Sequence, residues 1–138
     1  MQYMAKPHTT GGQEGGKSRS SDGRLEVKAS VHGAPGAGTN PEQLFDTGWS
    51  ACFISAIGLV ARKMKVKLPA ERAVDAEADL CLNGGYALQA RHKVSLPGLE
   101  REVAKSLVDG AQRPSIFQSH ARQYRRDDQC GLRPASYN

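Results

Sequence analysis

Apolar and polar positions alternate at both ends of the ordered part of this chain and merge in its middle. Residues 3–9 predict a short strand ended by Thr-Gly-Gly, and LEVKASV at 25–31 alternates and predicts a second. The segment between them, GGQEGGKSRSSDG, predicts a Gly/Ser-rich loop with Asp22-Gly23 as a turn. HGAPGAGTN predicts a second loop. From Pro41 the alternation stops: LFDTGWSACFISAIGLVA is apolar nearly all round, which predicts a helix to about Lys63 buried on most faces. Thr39-Asn40-Pro41-Glu42 supplies its start, with a cap residue, proline at the first helical position and a carboxylate in the first turn. Alternation returns in AVDAEADLCL (73–82) and YALQARHKVSL (86–96), two strands joined by a hairpin at Asn83-Gly84-Gly85. After Pro97-Gly98, LEREVAKSLVDGAQ sets Leu99, Val103, Leu107 and Val108 on one side of an amphipathic helix. Strands, a buried helix, strands and a second helix make an α+β layout, and the length suits a single domain over 1–138.

Past Pro114 neither period survives, and residues 114–138 read plainly as a disordered basic tail. That tail changes how the net charge of +5 is read. Its four arginines and two aspartates supply +2, leaving +3 over the other 113 residues, with no aromatics interleaved in a basic stripe. Nucleic acid is therefore not an expected partner. No apolar run is expected to span a bilayer, and MQYMAKPHTT lacks the apolar segment of a secretory signal. Three cysteines at wide spacings, Cys52, Cys81 and Cys130, fit neither a disulfide framework nor a zinc pattern. A reducing cytoplasm, no metal and no cofactor are the expectations.

Cys52 is the residue with chemistry to offer. A thiol is nucleophilic as its thiolate, and cations or helix N-termini lower its pKa. Cysteine also behaves as a small buried hydrophobe, so the residues alone leave Cys52 open between a core thiol and a nucleophile. Glu42 is equally open: it complements the helix dipole, or it belongs to a site. Trp49 and Phe53 read as core residues, although an apolar wall also suits a lipid-like ligand. Cys81 reads as structural.

The motif NPEQLFDTGWSACF, with TGGQEG, RSSDGRLEV, GAPGAGTN and VSLPGLERE, closely resembles the organic hydroperoxide resistance proteins, within the broader family that includes the osmotically induced OsmC proteins. The resemblance covers about residues 3–113 in the family's order. It implies an intertwined α/β homodimer in which two sheets wrap two central helices and the active sites lie at the subunit interface. It also implies a peroxidase. Cys52 matches the cysteine that attacks an organic hydroperoxide and becomes a sulfenic acid; a second cysteine then forms a disulfide that a dithiol such as lipoamide reduces. Glu42 matches the glutamate that holds an arginine beside the thiolate. In a straight helix Glu42 and Cys52 stand about 15 Å apart along the axis. They share a site only if the helix breaks, with Gly48 as the candidate break point, or if they come from different subunits.

Two departures bear on activity. The family's activating arginine is replaced by Gln13, which cannot form a charge-assisted pair with Glu42. Lys17 or Arg19 on the same loop is the candidate substitute. The family's last helix carries CPYSKATRGNIDV, whereas this chain has RPSIFQSHARQYRRDDQCGL. His120 to Asp127 can be encoded by codons that, read one base later, spell Thr-Arg-Gly-Asn-Ile-Asp-Val. The shift extends to Pro-Tyr-Ser-Lys-Ala upstream and to a stop downstream. Residues 114–138 thus read as a family C-terminus in a shifted frame, with Cys130 accidental and no resolving cysteine. That reading expects the final strand to be missing, a sheet edge to be left unpaired and the peroxidase to be impaired. A non-catalytic binding or scaffold domain is the alternative.

Overall fold

The computed structural model describes residues 3–82, 86–112 and 136–137, which form two compact units divided between Leu44 and Phe45. The first is a three-stranded antiparallel sheet of β1 (Pro7–Thr10), β2 (Lys17–Ser20) and β3 (Glu26–Lys28), in that order. Its register runs from Pro7 opposite Ser20 to Thr10 opposite Lys17, and from Lys17 opposite Lys28 to Arg19 opposite Glu26. Strand β2 corrects the expectation of a loop there. Lys-Ser-Arg-Ser has no apolar residue, so it carries no alternation to read; pairing on both edges makes it a strand. The β1–β2 connection turns so tightly that a side chain on Gly16 would overlap the carbonyl oxygens of Gly12 and Thr10. In the β2–β3 turn, Asp22 accepts from Ser20 Oγ at 2.5 Å and from the Arg24 amide at 3.1 Å. These bonds, the Ser20 hydroxyl first, hold the Asp22 carboxyl below its ordinary range.

The chain enters helix α1 (Pro41–Met64) as the sequence led one to expect. Asn40 Oδ1 accepts from the Gln43 amide at 2.8 Å, which makes Asn40 the cap, with Pro41 behind it. The helix ends with Lys65 in the left-handed region at φ 57°. The Val66 amide bonds to Ala61 O at 2.9 Å and the Lys65 amide to Arg62 O at 3.2 Å, the paired bonds of a Schellman cap.

In the second unit β4 (Ala73–Leu82) and β5 (Tyr86–Ser95) pair antiparallel, from Ala73 opposite Ser95 to Leu82 opposite Tyr86. Leu96-Pro97-Gly98-Leu99 then turns with proline second and a positive-φ glycine third, the type II pattern, and the Leu99 amide bonds to Leu96 O at 3.3 Å. Helix α2 (Arg101–Gln112) follows. Its Leu107 and Val108 are fully buried, while Leu99 and Val103 flank the core. Phe53, Ile57 and Ala61 of α1, Val94 and Leu96 from the β5 side, and Ala104, Leu107, Val108 and Ala111 of α2 form one apolar cluster. The helices approach closely where a side chain on Gly110 would meet Val60 Cγ1 at 2.9 Å.

Three further expectations are corrected. Helix α1 buries one stripe, Asp46, Phe53, Ile57 and Ala61, rather than most of its faces. Leu44, Leu59 and Met64 are exposed. By length and composition α1 is also long and apolar enough to cross a membrane, contrary to the reading that no run is; its inner stripe nonetheless joins the core just described. The β5 edge is not wholly open either: β6 (Ser136–Tyr137) pairs parallel to it, Ser136 opposite Lys93 and Tyr137 opposite Val94. The expected tail at 114–138 otherwise lies outside the described residues, as does the hairpin at 83–85.

Candidate functional site

Helix α1 sets Cys52 one residue before the buried Phe53, and so off the core-facing stripe. Its thiol is free and exposed. One turn away on either side lie Gly48, Trp49, Ser55 and Ala56. Three of these are small, which leaves the thiol open to an approaching molecule, and Ser55 turns its hydroxyl back onto Ala51 O at 3.1 Å. Trp49 is the one large neighbour.

Behind Trp49 lies a buried polar pair that reading the sequence missed. His92, on the inward row of β5 with Ala90 and Val94, meets Asp46 of α1, Nε2 to Oδ1 at 3.2 Å. The two side chains are 6% and 8% exposed. The contact is a hydrogen bond in the His92 tautomer that carries its proton on Nε2, which then donates to the Asp46 oxygen. Around the imidazole, Phe53 stacks at 5.5 Å and 26°, and Trp49 stands edge-on at 5.1 Å and 89°. Phe45 packs edge-on against Trp49 at 5.5 Å. The signal was present as one polar residue inside an apolar stripe on each of two elements. Only the fold shows that the two exceptions meet.

Of the other residues singled out from the sequence, Gln13, Lys17, Arg19 and Glu42 fall in the first unit. Gln13 is exposed in the β1–β2 connection, where its carbonyl oxygen accepts from the Gly15 amide at 3.2 Å. Arg19 and Lys17 are exposed on β2. Glu42 is half-buried in the first turn of α1 and makes no ion pair among the described residues. The candidate break at Gly48 does not occur: the helix is continuous from Pro41 to Met64. Glu42 and Cys52 therefore stand about 15 Å apart along one helix axis. Cys81 lies on β4 opposite Ala87, and Cys130 lies outside the described residues. No cluster of His, Cys, Asp and Glu able to hold a metal occurs among the described residues.

The family model described as OsmC-like protein matches residues 33–121. This chain belongs to that family. An organic hydroperoxide resistance protein of Xanthomonas axonopodis pv. citri (strain 306) is 40% identical over 114 residues, 79% of this chain and 80% of that protein. The organic hydroperoxide resistance protein OhrA of Bacillus subtilis (strain 168) is 40% identical over 115 residues, 75% of this chain and 81% of that protein. Among solved structures, OhrB of Bacillus subtilis superposes with a TM-score of 0.84 at 26% identity, covering 99% of this chain and 98% of that one. An organic hydroperoxide resistance protein from Elizabethkingia anophelis, solved with thiocyanate bound, gives 0.82 at 28% identity, over 100% and 97%. These likenesses bear out the resemblance read from NPEQLFDTGWSACF and its flanking motifs. They also bear out the α+β fold of this family.

Proposed function

We propose that this protein detoxifies organic hydroperoxides as a thiol peroxidase, with Cys52 as the nucleophile. The observation that carries this reading is the exposed, free thiol at the motif position of α1, ringed by small residues and one indole. The Cys52 thiolate attacks the terminal oxygen of the hydroperoxide. The O–O bond breaks, an S–O bond forms, and the leaving alkoxide takes a proton to become the alcohol. Cys52 is oxidised to a sulfenic acid. An external dithiol such as lipoamide then attacks that sulfur, releasing water and closing to its own disulfide, which restores the thiol.

Two features support a homodimer. In the continuous helix, Glu42 does not reach the Cys52 of its own chain, so their partnership needs two subunits. The exposed Leu44, Leu59 and Met64 on α1 supply apolar surface for a second copy to cover. No resolving cysteine is assigned, since the frame-shifted reading makes Cys130 accidental, and Gln13 leaves Glu42 without the family's arginine. Turnover is therefore impaired relative to a member with both. The reducing cytoplasm suits a reaction that consumes thiols. A consumption assay with cumene hydroperoxide and dihydrolipoamide tests the reading. Slow turnover with first-order dependence on dithiol is expected; no turnover with any dithiol would overturn it in favour of a non-catalytic domain.

A further inference from the structure

We propose that Asp46 and His92 are positioning residues: their buried hydrogen bond fixes the Trp49 indole as the apolar wall beside Cys52, and so tunes the site toward bulky hydroperoxides. The tuning rests on the peroxidase reading above; the positioning of Trp49 does not.

The geometry carries it. Asp46 Oδ1 holds His92 Nε2 at 3.2 Å with both side chains inside the core, so the imidazole has one fixed orientation. Phe53 stacks on that ring and Trp49 meets it at 89°, which leaves the indole braced between His92 and Phe45. A buried polar pair is not needed to hold a core together, because apolar residues of similar volume do so as well or better. What it adds is orientation. Trp49 precedes Cys52 by three residues, and helical side chains lean toward the N-terminus, which tilts the Cys52 thiol toward the turn that carries the indole. An aryl or long-chain hydroperoxide delivering its terminal oxygen to that thiol lays its apolar body on the indole. A small alkyl peroxide covers little of it.

Trp49 is the sole tryptophan of the chain, so the indole emission reports the surroundings of this residue. In Asp46→Ala, time-resolved emission of Trp49 broadens to several lifetimes. The KM for cumene hydroperoxide rises about fivefold, while that for tert-butyl hydroperoxide stays within about twofold. Asp46→Asn, whose Oδ1 still accepts from Nε2–H, restores both readouts. Should Asp46→Ala fail to fold, the double variant Asp46→Leu/His92→Leu removes the pair and the ring without stranding a buried polar group, and the same shifts are expected. Unchanged Trp49 lifetimes, equal KM losses for the two peroxides, or no rescue by Asp46→Asn would each overturn the proposal. If the unaltered protein consumes neither peroxide, the peroxidase reading fails, and the lifetimes alone decide whether the pair positions Trp49.

Discussion

Residues 45–112 and residues 3–44 are built on different physics. The first stretch contains every buried apolar side chain among the described residues, with Ile57, Val94, Leu107 and Val108 almost wholly enclosed. In the second, the one buried position is Gly16. Its sheet is held instead by ladder bonds, by the Thr9–Ser18 hydroxyl pair at 2.6 Å, and by turns such as that around Asp22. The proposed nucleophile belongs to the cored region. Gln13, which stands at the family's arginine position, and Arg19, a candidate substitute for it, belong to the region without a core. Chemistry and stability should therefore respond separately to substitution on the two sides.

The sharpest break in the comparison is Cys52→Ser. The thiol is exposed, so stability should stay within about 0.5 kcal/mol in urea titration. Hydroperoxide consumption should fall by about a thousandfold or more, because a serine hydroxyl forms no sulfenic acid. Retained turnover would move the nucleophile elsewhere. Next in size is Ile57→Ala, which opens a cavity in the core and should cost about 3 kcal/mol. Leu59→Ala, on the exposed side of the same helix, should cost under about 0.5 kcal/mol in the monomer while weakening self-association seen by sedimentation. Equal losses at 57 and 59 would erase the distinction between the helix's faces.

In the coreless region the expected effects are smaller and chemical. On the proposed dimer reading, Gln13→Arg should raise kcat/KM about tenfold, by restoring the cation that the resemblance pairs with Glu42, and should leave the urea midpoint in place. No gain would remove this loop from the site. Least of all is the Asp22 turn. Its carboxyl is held below the ordinary range, so its support is present above that range and fades as the pH falls through the folded value. The protection of the Arg24 amide against exchange, relative to its intrinsic rate at each pH, should fall on acidification in the unaltered protein and be low at every pH in Asp22→Ala.

Strong local signals made much of this fold legible in the sequence. Asn40-Pro41 placed the start of α1 because a cap and a proline both act locally. The 73–82 and 86–95 strands were readable because each alternates over ten residues. What escaped was set by partners distant in the chain. Strand β2 is made a strand by β1 and β3, and its own polar run is silent. The period of α1 announced an apolar surface, but not how much of it this chain alone would cover. For the site, motif resemblance singled out Cys52, which the structure shows to be exposed. The unbroken helix at Gly48 then removed one of the two ways Glu42 could join it. Asp46 and His92 were invisible because each reads as a lone polar exception 46 residues from the other.

The central claim is that Cys52 becomes a sulfenic acid at the expense of an O–O bond, and single-turnover trapping tests it most directly. The protein is mixed with one equivalent of cumene hydroperoxide and dimedone, without reductant, and digested for mass spectrometry. One dimedone adduct on Cys52 per cumyl alcohol released is the expected result. Alcohol released without an adduct on Cys52, or no reaction at all, would contradict it.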